Sequence, residues 1–153
     1  MMQIHETHMR HCLALGRAAL EAGEIPVGAM VVRGAEILGE GLEAVRRHLD
    51  PSAHAEILAI RAACQRLQSL ELSGCTLYTT VEPCVLCAFA VRRVGVSHVV
   101  YGAPAGQAGG LTSRYSLLSD LELTGWPEPP EVIAGVLARE CSALLDERKR
   151  SSA

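Results

Sequence analysis

The chain predicts an α/β layered domain around a mixed sheet, and three observations lead there. Its 153 residues carry 49% hydrophobic and 20% charged side chains, enough to bury one substantial core. Strand-like and helix-like runs alternate through the middle, which implies parallel pairing with right-handed crossovers. Near the start, two β-like runs, 27–32 and 36–41, are separated only by Arg33-Gly34-Ala35. So short a link reads as an antiparallel hairpin, which makes the sheet mixed.

The elements follow in order. Ile4, His8, Cys12, Leu15 and Ala19 recur at helical spacing, and Gly23 ends that helix. After the hairpin, Asp50-Pro51-Ser52 offers helix-start chemistry for a helix over 53–70, with Ile57, Leu58, Ala62 and Leu67 on one face. Residues 75–81, rich in Thr and β-branched side chains, read as a strand that Pro83 stops. Pro83 opens a helix to about Val94, and 97–102 form a short apolar strand. A glycine-rich loop over 103–114, a short helix, turn signals over 124–130, a strand near 132–136 and a helix over 138–149 complete the chain. No repeat or linker divides it, so residues 1–153 form a single domain, with 146–153 a polar end free to fray.

Charge and composition exclude some functions. Lys+Arg 14 against Asp+Glu 17 gives a net charge of −3, which argues against a broad basic surface. Aromatics are 3%, too few for a protein that stacks many single-stranded bases. The longest apolar run, 84–91, is far short of a membrane span, and no secretory apolar region opens the chain. A reducing cytoplasm is the expected compartment, and the six cysteines are expected to be mostly thiols.

The chemistry gathers in two fragments, His54-Ala55-Glu56 and Pro83-Cys84-Val85-Leu86-Cys87. Cys84 and Cys87 stand three apart at a helix start, so their sulfurs share one face and the helix dipole favours thiolate. His54 supplies a third zinc ligand. Three protein ligands leave a fourth position for water, the pattern of a catalytic zinc. Glu56 then serves as the carboxylate that takes and returns a proton. A second group, His5, His8, His11 and Cys12, reads as solvent-side histidines and one core cysteine on an amphipathic helix. Cys64, Cys75 and Cys141 read as small core residues, and His98 as a satisfied histidine in a buried strand.

On these motifs, together with Ile25-Pro26-Val27-Gly28-Ala29, Gly39-Glu40-Gly41, Asp50-Pro51-Ser52-Ala53, Leu77-Tyr78-Thr79-Thr80-Val81-Glu82 and Val99-Val100-Tyr101-Gly102-Ala103, the sequence resembles the cytidine deaminase superfamily. It is most similar to the branch of tRNA adenosine deaminases, guanine deaminases and cytosine deaminases. The resemblance implies a three-layer α/β/α fold with a five-stranded mixed sheet, one zinc per subunit and a homodimer. It implies hydrolytic replacement of a ring amino group by oxygen with release of ammonia, Glu56 shuttling the protons. Val27, Ala55 and Val81 would contact the substrate, their neighbourhood steadying its reacting edge. The branch's usual pocket Asn falls on Glu43, an acceptor-only side chain when ionised.

The loop 103–110 lacks the Asp and Lys usual in the tRNA enzymes, and the C-terminal segment 146–153 lacks their aromatics. These departures favour a free base or small nucleoside, guanine- or cytosine-like, as substrate. Editing of a tRNA wobble adenosine is the second reading, and an inactive zinc-bound interaction module the third.

Overall fold

A computed structural model describes residues 1–151. The elements are α1 (Met2–Glu21), β1 (Gly28–Arg33), β2 (Glu36–Leu42), a single turn α2 (Val45–His48), α3 (Ala55–Leu67), β3 (Thr76–Val81), α4 (Val85–Val94), β4 (His98–Ala103), β5 (Glu131–Ile133) and α5 (Ala138–Ser151). Two 3₁₀ turns, Gly106–Ala108 and Leu117–Ser119, shape the long connection after β4.

The five strands lie in the order β2-β1-β3-β4-β5. β1 pairs antiparallel with β2 and with β3, while β3–β4 and β4–β5 are parallel. The hairpin and the mixed sheet thus form as the sequence predicts.

Strand periodicity sorts the core into two layers. Ala29, Val31, Leu77, Val99 and Tyr101 face the side packed by α3 and α4. Met30, Val32, Tyr78 and Val100 face the other side, where Met9 and Cys12 of α1 and Cys141 of α5 are buried. The result is a three-layer α/β/α domain.

β2 and α3 pack at unusually short range, and Gly39 and Gly41 are the reason. A Cβ at Gly41 would stand 2.1 Å from the Ala55 carbonyl oxygen. That approach brings the start of α3, and with it His54, down onto the sheet.

Several boundaries differ from expectation; α3 ends at Leu67 instead of 70, with Gln68 in a left-handed conformation. α3 begins at Ala55 instead of 53, because Asp50 Oδ1 accepts from the Ser52 N–H and O–H and holds residues 50–52 in a turn. β5 is Glu131–Ile133, shifted toward the N-terminus. α5 runs to Ser151, so most of the end expected to fray is helical, and residues 152–153 lie outside the described residues.

Candidate metal centre and active site

The two fragments meet where the N-termini of α3 and α4 converge. His54 is the N-cap of α3 and Cys84 the N-cap of α4, both in extended backbone conformations. Cys87 lies in the first turn of α4, where unpaired backbone N–H groups and the helix dipole stabilise negative charge.

His54 Nδ1 lies 3.5 Å from Cys84 Sγ and 3.4 Å from Cys87 Sγ, and the sulfurs are 3.8 Å apart. A tetrahedral zinc with bonds of about 2.3 Å to sulfur and about 2.0–2.1 Å to nitrogen spans edges of about 3.8 Å and about 3.5 Å. The donor set fits zinc.

The charges agree with the geometry. Cys84 is pulled down to about 4, first by the hydrogen bond from Cys87, with His54 adding to it against the cost of burial. Cys87 is pushed up by its bond to Cys84 and by burial. Two adjacent sulfurs therefore share one negative charge unless a cation neutralises the second, which a dication does.

Glu56 is buried beside this group, 4% exposed. Its Oε1 has no hydrogen-bond partner. Burial first, and the Glu43 charge second, push its pKa up to about 7. Such a carboxyl is poised to exchange a proton near neutral pH.

Glu43 is also buried. Its Oε1 accepts the Ala55 N–H at 3.0 Å, and its own N–H donates to the Val27 carbonyl at 3.1 Å. Burial raises its pKa, against the Ala55 hydrogen bond. The expected contacts Val27 and Ala55 are therefore tied to Glu43. At Val81, the carbonyl accepts from Thr79 Oγ1 at 2.9 Å.

One residue escaped the sequence reading. Glu82, 1% exposed, accepts four hydrogen bonds from the loop after β4. Burial raises its pKa, but these bonds outweigh burial and hold it below the ordinary carboxylate range. Its position before Pro83-Cys84, followed later by a glycine-rich loop, was the available signal.

The N-terminal histidines do not gather into a ligand set. His5 Nδ1 meets the Tyr78 hydroxyl at 2.9 Å, the His8 ring packs on Tyr78, and His11 pairs with Glu40. Cys12 is buried in the core, as are Cys75 and Cys141, and Cys64 is half-buried. His98 corrects an expectation. It opens β4 at the surface, with Nε2 3.4 Å from Glu131, because the strand's first residue escapes the layer of α-helices.

The model of the cytidine and deoxycytidylate deaminase zinc-binding region matches residues 2–103. The chain belongs to this deaminase family. Zinc is its metal and hydrolytic deamination its reaction.

Among its relatives, a tRNA-specific adenosine deaminase of Haemophilus influenzae is 40% identical over 144 residues, 94% of this chain and 82% of that protein. A structure from a study of A-to-I editing by tRNA:A34 deaminases at the wobble position superposes with a TM-score of 0.84 at 32% identity, covering 90% of this chain and 99% of that one. A guanine deaminase from Nitrosomonas europaea superposes at 0.82 with 29% identity, covering 95% and 84%. By their names the first two act on tRNA, the reading ranked second on sequence, and the third on a free base. Among the described residues no helix is long and apolar enough to cross a membrane.

Proposed function

We propose that this deaminase acts on an adenine ring presented by tRNA, converting adenosine to inosine. The observation that carries the proposal is the near full-length similarity to tRNA-specific adenosine deaminases. A hollow of about 380 Å³ lies beside α5, lined by Ile25, Pro104, Ser142, Asp146 and Lys149 among others.

In this reading His54, Cys84 and Cys87 hold zinc, which supplies a Lewis acid that makes water more acidic. Glu56 takes a proton from that water at Oε1 and passes it to the ring nitrogen beside the amino-bearing carbon. Once the water oxygen has bonded to that carbon, Glu56 takes the proton remaining on that oxygen and delivers it to the amino group, so that the C–N bond breaks as the ring carbonyl forms. Ammonia leaves and a ring carbonyl remains. Glu43 fixes the start of α3 through Ala55, and so fixes His54 and Glu56, and it presents acceptor chemistry to N–H groups of the base. Ala55 and Val81 flank the reacting edge, with Val27 behind Glu43.

A second reading, deamination of a free guanine-like base, is favoured by Glu43, by the departures in loop 103–110 and the C-terminal segment, and by the structural likeness to a guanine deaminase. An acceptor-only group suits a ring N–H next to an amino group. The discriminating experiment offers the zinc-loaded protein tRNA, adenosine, guanine and cytosine, and measures inosine in tRNA alongside ammonia. Inosine in tRNA with inert free bases supports the first reading; rapid ammonia release from guanine with unmodified tRNA overturns it.

The protein is further proposed to be a cytoplasmic homodimer. On α4, beside the zinc ligands, Leu86 and Phe89 are exposed, and Phe89 meets Trp126 edge to face at 5.1 Å with Arg93 over the same indole. An apolar patch so placed is suited to a second copy.

A further inference from the structure

Glu82 links the last residue of β3 to the Pro83-Cys84 turn, and the deamination chemistry makes no use of it. Its carboxylate is buried, yet it faces four donors at bonding distance. Oε1 accepts the Ala105 N–H at 3.1 Å and the Thr112 hydroxyl at 2.7 Å. Oε2 accepts the Leu111 N–H at 2.9 Å and the Thr112 N–H at 2.8 Å. All four donors belong to the loop that follows β4.

The backbone joins the same two segments independently. The Glu82 N–H donates to the Ala103 carbonyl at 2.7 Å, and the Gly110 N–H donates to the Pro83 carbonyl at 2.7 Å. Cys84 and Gly109 form an isolated antiparallel bridge. There is no room for a side chain between them. A Cβ at Gly109 would stand 2.3 Å from Glu82 Oε2.

The loop so tied continues into Arg114 and Tyr115, with the guanidinium over the ring at 5.2 Å. These two residues wall a hollow of about 680 Å³ with Gly106, Gln107, Thr112 and Ser113. They also wall one of about 280 Å³ that reaches Val85, the residue after Cys84. The zinc-bearing turn and this polar wall are thus two sides of one unit, and the Glu82 carboxylate is its common anchor. A role in stability alone could be met by an apolar side chain; four converging donors fix a direction and a register.

The geometry points to Glu82 as a positioning residue that sets loop 105–112 against the Cys84 turn, so that the metal ligand and the Arg114–Tyr115 wall keep one arrangement. It acts through Cys84 and the loop without touching substrate. The inference rests on Cys84 being a zinc ligand, and holds whichever base is the substrate.

The test compares Glu82→Gln, Thr112→Val and Gly109→Ala with the parent, each zinc-loaded and held well below its own unfolding temperature. Groups that orient metal ligands typically change metal affinity or activity by about 10–100-fold. Glu82→Gln is therefore expected to release zinc to a chelator about tenfold faster and to lose about tenfold in kcat/KM. Its cobalt-substituted form should show shifted thiolate and ligand-field absorption. Gly109→Ala, which displaces the carboxylate, should behave like Glu82→Gln. Thr112→Val, at an exposed position, should show the same changes at smaller size. A lowered unfolding temperature with unchanged zinc release, cobalt spectrum and kcat/KM would overturn the inference. If Glu82→Gln does not fold, unchanged readouts in Thr112→Val overturn it equally. Zinc release and the cobalt spectrum need no substrate, so they separate this inference from the tRNA reading.

Discussion

The Glu56 carboxyl lies where burial is costly for any acid, with Oε1 unpaired. Such an orphan is explained by a proton to carry. Glu56→Gln keeps the size of the side chain but cannot exchange that proton. The variant should fold and bind zinc, with turnover lowered by roughly a hundredfold or more, within the usual 10²–10⁴-fold range of acid–base catalysis. Single-turnover kinetics with metal analysis check this, and parental turnover would remove Glu56 from the chemistry. Glu43 gives a different forecast. Glu43→Ala strands the Ala55 N–H and should lose activity, whereas Glu43→Asn should change the ranking of bases while keeping zinc. Unchanged kinetics for both across a base and tRNA panel would remove Glu43 from recognition. The His54, Cys84 and Cys87 set was legible because ligand spacing at helix starts is a local pattern. That Glu43 binds the α3 start was not, because its partner lies twelve residues away and is a backbone group that no sequence pattern marks.

At the scale of elements, the site depends on how closely α3 sits on β2. Gly41→Ala would push against the Ala55 carbonyl, so the sheet and helix must separate. A loss of at least about 2 kcal/mol is expected from overpacking, and the zinc site should weaken with it. Chemical denaturation reads the first effect and metal analysis the second. A second element is held by charge. Glu24, 1% exposed, accepts the Arg46 and Arg47 N–H groups at the start of α2. Burial raises its pKa, but these bonds and the two guanidinium charges outweigh it and hold it below its ordinary value. A carboxyl depressed in the folded state adds stability that is fully present above its unfolded pKa and lost as pH falls through the folded one. Glu24→Gln should therefore lower the unfolding temperature at pH 7, and the gap should close as pH falls below the usual carboxylate range. A gap that persists in strong acid would contradict this. The periodic helices and the hairpin were readable from sequence, since each is set by local spacing. α2 was missed because one turn has no periodicity and owes its place to the distant Glu24.

For the whole molecule, the layered core and the mixed sheet follow from alternation and a short hairpin link, so they were open to sequence reasoning, whereas the order of the strands was not. Nor was substrate choice, because it depends on how the loop after β4 and the far end of the chain are placed in space, which no local spacing marks. Light scattering at micromolar concentration should give twice the 16.3 kDa chain mass, and a monomer would leave the Leu86–Phe89 patch without its proposed partner. The most direct test of the central claim is inosine formation in tRNA, measured by nucleoside analysis after incubation with the zinc-loaded protein. Catalytic inosine production at one adenosine, lost on chelation and in Glu56→Gln, is predicted; unmodified tRNA alongside rapid deamination of free guanine would contradict it.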